Sequence, residues 1–188
     1  MRITASVPFV ALLSLGCTEP ADPGETLLDF AELMADDLYD ALWTAVEDGE
    51  GLDMWHLDDG ASFSGNASLS GGSEASGVDG ELTADWALEF ELTEYDDGVS
   101  NWYWDIDIDI ERLALPDAEV AGSGAWSLEH EYYDYDWRAH SFDGQLAIDG
   151  GELQDVSFDA YFSGNLHWVQ GSIGGVEVDW ENDNPDLP

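Results

Sequence analysis

Trp102-Tyr103-Trp104-Asp105-Ile106-Asp107-Ile108-Asp109-Ile110-Glu111 alternates apolar and polar residues without a break. Successive side chains of a strand point to opposite faces, so two tryptophans and three isoleucines fall on one side. Tyr103, three aspartates and Glu111 fall on the other. The preceding segment has the same period: Leu82, Ala84, Trp86, Leu88, Phe90 and Leu92 alternate with Glu81, Thr83, Asp85, Ala87, Glu89 and Glu91. Each segment predicts a strand about 30 Å or more in length at ~3.4 Å per residue. The turn-like link Tyr95-Asp-Asp-Gly-Val99 joins them into an antiparallel hairpin with one core face and one solvated acidic face. Further strands are expected at about 52–57, 61–69, 119–132, 137–149, 153–163, 165–170 and 174–181, with Asp149-Gly-Gly-Glu152 and Gly174-Gly175 marking turns.

Upstream of residue 50 the period is that of a helix. Leu27, Ala31, Met34, Leu38, Ala41 and Ala45 recur at spacings of three and four, and Leu28, Ala35, Tyr39, Leu42 and Val46 widen the stripe. Thr26 and Asp29 have the spacing of a capping box, and Gly49 supplies a stop, which predicts a helix from Glu25 to Gly49. Its polar face carries acids and no Lys or Arg, so it suits packing on a sheet and not a lipid surface. The fold class expected is α+β: one N-terminal helix packed on a curved antiparallel β-sheet of about seven to nine strands. A β-sandwich and a half-barrel are the alternatives. A half-barrel carrier would hold a cavity lined by Trp86, Phe90, Trp102, Trp104 and Ile106.

Charge narrows the function classes. The 188 residues contain 43 Asp and Glu against three Arg and no Lys, a formal net charge of −40. Such a surface repels phosphate backbones and anionic headgroups, which excludes nucleic acid as a partner. Apolar content of 44% with nine tryptophans still places the chain among folded globular proteins.

The N-terminus has its own logic. Arg2 precedes an apolar run from about Ile3 to Leu15, too short to span a bilayer but of the length of a signal segment. Leu13-Ser14-Leu15-Gly16-Cys17 resembles a bacterial lipobox, with Ser14 and Leu15 transposed relative to the commonest order. The resemblance implies cleavage before Cys17 and acylation of that residue, the only cysteine in the chain. Residues 1–16 would be a signal peptide and 17–24 the lipidated cysteine with a Pro-rich tether. Residues 25–188 would be a single acidic domain. The location implied is the bacterial cell envelope, as an outer-membrane lipoprotein facing the periplasm or the cell surface. The membrane is reached through the lipid alone.

Catalytic motifs are scarce. His130-Glu-Tyr-Tyr-Asp134 lacks the second histidine of a zinc-protease helix, and Ser123 lacks nucleophile-elbow spacing. His56, His130, His140 and His167 stand at no ligand spacing. Asp105, Asp107 and Asp109 could contribute to a calcium site only together with a neighbouring strand; no other cofactor is suggested. A carboxylate pair could serve a glycoside hydrolase, but nothing distinguishes one pair among 43 acids. Tyr133, Tyr135 and Trp137 share a parity beside Asp134 and Asp136, where the core alternation through Trp126 and Leu128 ends. Rings beside carboxylates are the material of a sugar-binding platform. The expectation is a lipid-anchored, non-catalytic envelope protein. A module binding carbohydrate or divalent cations is one alternative and a glycosidase-like enzyme the other.

Overall fold

The computed structural model describes residues 21–50, 60–70, 79–93, 99–132, 137–163 and 166–183. Helix α1 (Pro23–Leu33) runs through a π-helical turn (Met34–Leu38) into α2 (Tyr39–Glu50). Eight strands follow: β1 (Ser62–Ser70), β2 (Gly80–Thr93), β3 (Val99–Ala114), β4 (Glu119–Tyr132), β5 (Trp137–Ile148), β6 (Gln154–Ser163), β7 (Leu166–Ile173) and β8 (Val176–Asp183). They form one antiparallel sheet in the order of the sequence, not closed into a barrel. The architecture is α+β, with the sheet predominant. A single continuous sheet replaces the two facing sheets of the sandwich alternative. The candidate strand at 52–57 lies outside the described residues.

The helix starts earlier than its periodicity suggested. Asp22 is the N-cap, its Oδ1 accepting from the Gly24 and Glu25 amides at 2.8 and 3.4 Å, and Pro23 sits at the first helical position. Proline is well placed there because that amide has no intrahelical partner. Two residues assigned to the tether, Pro23 and Gly24, are therefore helical. Thr26 is buried inside the first turn, and its hydroxyl donates to the Asp22 carbonyl at 3.0 Å instead of forming a capping box.

Hairpin chemistry fixes the later register. Asp149 and Gly150 between β5 and β6, and Gly174 and Gly175 between β7 and β8, all have positive φ, the pattern of a type I′ turn matched to strand twist. In β3 the pairing shifts between Ile110 and Leu113, so Glu111 and Arg112 form an irregularity that returns Leu113 to the inner face.

One cluster of buried residues lies between the helix and the inner face of the sheet. Phe30 packs edge-on against Phe142 and Phe158, with centroids at 5.3 and 6.1 Å. Gly124 makes this possible: a Cβ there would sit 2.5 Å from Phe142 Cζ. Further along, Trp43 packs on Trp102 and Trp104, and Tyr39 meets Trp104. The helix crosses the strands, since α1 touches β7 and β8 while α2 touches β1. Pro23–Glu50 measures about 42 Å at 1.5 Å per residue, and eight strands span about 34 Å.

Candidate functional site

Alternation along each strand combines with the register to place the outer-face residues in rows. One row runs from Tyr103 on β3 through Glu129, Ala139 and Tyr161 to Trp168 on β7. The next runs through Asp105, Ser127, Ser141 and Asp159. Small residues in the middle, Ala139 and the hydrogen-bonded pair Ser127–Ser141 (2.6 Å), leave a shallow groove of about 470 Å³ between larger neighbours. Tyr103 forms one side and is 37% exposed. Trp168 forms the other, stacked on Tyr161 with centroids 6.2 Å apart and planes 13° from parallel. Asp105, Glu129 and Asp159 supply carboxylates along the same groove.

Tyr103 is held in place by hydrogen bonds to Asn101 and Glu129, and its phenol titrates above its ordinary range. Burial is the main cause, followed by the negative charges of Glu129 and Glu91. A second depression of about 580 Å³ lies around Asp85, Asp105 and Asp107. It has more room but no exposed ring, because Trp86 and Trp126 turn inward. Of these two depressions, the first brings stacking and hydroxyl recognition together.

Of the platform anticipated from sequence, Tyr133 and Tyr135 lie outside the described residues, as does Cys17. Trp137 opens β5, paired with Glu131 and Ser163, and its side chain also lies outside them. The groove residue Trp168 and the Tyr161 ring stacked on it escaped the sequence reading. Their strands were recognisable, but only the register places them in one row with Tyr103.

Asp105, Asp107 and Asp109 alternate outward on β3 as expected, with Asp85 directly opposite Asp107. Among the described residues, no three His, Asp or Glu side chains converge to hold a metal ion. Ser123 lies outward on β4 in extended pairing with Asp109 and Gln145. The carboxyls of Asp29, Glu32 and Asp36 titrate above the usual range, chiefly through burial. These three belong to the helical segment and not to the groove, and the Asp36 side chain is 76% exposed. Among the described residues, the expected walls of a carrier cavity pack closely. Trp86, Phe90, Trp102, Trp104 and Ile106 are each 5% exposed or less, packed against one another and α2.

The inner face holds polar groups as well. His130 continues the inward alternation of Trp126 and Leu128, and its Nδ1 lies 2.8 Å from the Tyr39 hydroxyl. Arg138, directly opposite His130 on β5, donates to the Ala35 carbonyl, stacks 4.3 Å over the Tyr39 ring and pairs with Asp36 at 3.6 Å. Ala35 and Asp36 belong to the π-helical turn, where the Tyr39 amide reaches back five residues to Met34. A side chain docking on the helical ladder is a recognised cause of such widening. His140 accepts from Trp126 Nε1 at 3.2 Å through Nδ1, so in the neutral ring Nε2 carries the proton. That Nε2 is buried with no partner among the described residues. Burial, assisted by Arg138 and His130, lowers the His140 pKa to about 3. These histidines are core groups tied to the helix and sheet.

No family model, curated protein or solved structure matches the chain. The functional reading therefore rests on its own residues.

Proposed function

We propose that the chain is a lipid-anchored, non-catalytic protein of the bacterial cell envelope whose outer sheet face binds carbohydrate. The groove between Tyr103 and Trp168 carries this reading. Aromatic faces offer stacking for the apolar side of a sugar ring, and Asp105, Glu129 and Asp159 accept hydrogen bonds from hydroxyls. From Tyr103 to Tyr161 is three strand spacings, about 14 Å, which suits a short oligosaccharide lying across the strands. The anchor rests on the lipobox resemblance ending at Cys17. The sheet in this reading is curved as a half-barrel about the helix; helix contacts near both sheet edges support that shape.

The test is titration with a panel of short oligosaccharides, followed by tryptophan fluorescence and calorimetry. Saturable binding by the wild type, weakened about tenfold in Trp168→Leu, is expected from loss of one stacking surface. Absence of heat and of spectral change across the panel would overturn the carbohydrate reading. Mass spectrometry of membrane fractions, with Cys17→Ala as control, tests the anchor separately. A wild type that stays water-soluble and starts upstream of Cys17 would defeat it.

A further inference from the structure

The charge of the groove selects among sugars. Along the two rows that cross it, Glu89, Glu129 and Glu181 accompany the rings, and Asp105, Asp159 and Asp179 lie one step away. Neither row contains a cation. Arg112 lies beyond the irregularity of β3, paired with Asp79 at 3.3 Å and Glu119 at 3.7 Å, and Arg138 engages the helix from the inner face. An anionic polysaccharide would meet uncompensated repulsion here. A neutral glycan would gain stacking but leave the carboxylates without opposite charge.

Resting on the carbohydrate reading, we infer that the groove between Tyr103 and Trp168 takes a cationic glycan, an oligosaccharide of hexosamines with free, protonated amino groups. The ring faces of Tyr103 and Trp168 stack on the sugar and also attract positive charge through their quadrupoles. Asp105, Glu129 and Asp159 line the groove beside the rings, where they would receive ammonium groups in charge-assisted hydrogen bonds. The Ala139 position and the mutually satisfied Ser127–Ser141 pair keep the middle of the groove low enough for a chain to cross.

The experiment compares short glucosamine oligomers with their N-acetylated counterparts of equal length, at mildly acidic pH and low salt, by calorimetry on the full chain. A lysine oligopeptide of matched charge serves as the third ligand. Expected are tighter binding of the amine form by about tenfold or more, loss of that preference in high salt, and about tenfold weaker amine binding in Asp105→Asn/Asp159→Asn. Glu177→Gln, a change on the distant part of β8, should leave the amine affinity unaltered. Trp168→Leu should weaken both sugars.

Equal, salt-insensitive binding of both sugars would overturn the charge preference while leaving the carbohydrate reading standing. Binding of neither would overturn both. Equal or tighter binding of the lysine peptide, or amine binding unaffected by Trp168→Leu, would mean that the surface collects positive charge without recognising a sugar, and would overturn the inference.

Discussion

The two ends of the helix lie on the same sheet, yet they are fastened by different chemistry. Under α1 the contact is chiefly aromatic: Phe30 packs edge-on against the stacked rings of Phe142 and Phe158, and Phe142 fills the space that Gly124 leaves open. Under the π-helical turn and the start of α2 it is mixed. Tyr39, His130 and Arg138 join by hydrogen bond and ring stacking, while Trp43 closes over Trp102 and Trp104. The first depends chiefly on volume. The second depends on hydrogen bonds and on a guanidinium that is 17% exposed, so a substitution can weaken one while sparing the other.

The largest effect should come from emptying the apolar end. Phe30→Ala is expected to cost about 4 kcal/mol in chemical denaturation, through lost burial and an unfilled cavity. Gly124→Ala should cost about 2 kcal/mol from the opposite fault, overfilling, because Phe142 has little room to retreat.

Acid should act next, through His140, which bonds Trp126 within the sheet core. His140 titrates at about 3 when folded and near its ordinary 6.5 when unfolded. The unfolded chain therefore takes up the proton first as pH falls. The contribution of the neutral ring is complete above 6.5 and is lost progressively toward 3. Between pH 6.5 and 5 this amounts to about 2 kcal/mol, a slope of one proton. His140→Gln should flatten stability against pH by that slope, whereas Phe30→Ala should leave the slope unchanged. A variant slope equal to that of the wild type would remove His140 as the acid-sensitive group.

Smaller effects test the remaining joints. Tyr39→Phe should cost about 1 kcal/mol, as it removes the hydroxyl from His130 but keeps the ring beneath Arg138. On the outer face, Asp107→Asn should stabilise by about 0.5 kcal/mol at low ionic strength by relieving repulsion from Asp85 across the hairpin. That gain should fade in high salt, which screens exposed charges.

Much of this comparison could be anticipated, and the limits have physical causes. Strict period-two alternation in β2 and β3 identified inner and outer faces because apolar and acidic residues differ so sharply. The β4 bounds, 119–132, were legible as well. Alternation failed to assign His130 and Arg138, since a polar side chain can face inward when a partner awaits it. Those partners, the Tyr39 hydroxyl and the Ala35 carbonyl, come from a helix some hundred residues away in sequence. The stripe of apolar residues gave the helix but not its π-helical turn, which is a property of the backbone at a tertiary contact. The groove was hidden for a related reason. Tyr103 was visible as an outward ring, but its alignment with Tyr161 and Trp168 is set by three successive strand pairings.

The strand order carries a kinetic consequence. Because every strand pairs with its neighbours in sequence, each hairpin closes a short loop and can form with little loss of chain entropy. The helix is the exception. Its bonds to β4 and β5 link residues 91 and 103 positions apart, and its contacts reach β7 and β8. The helix is thus expected to dock after strands far along the chain have assembled. Stopped-flow measurements on Phe30→Ala and Tyr39→Phe should find unfolding accelerated far more than refolding is slowed, the mark of a strap fastened late.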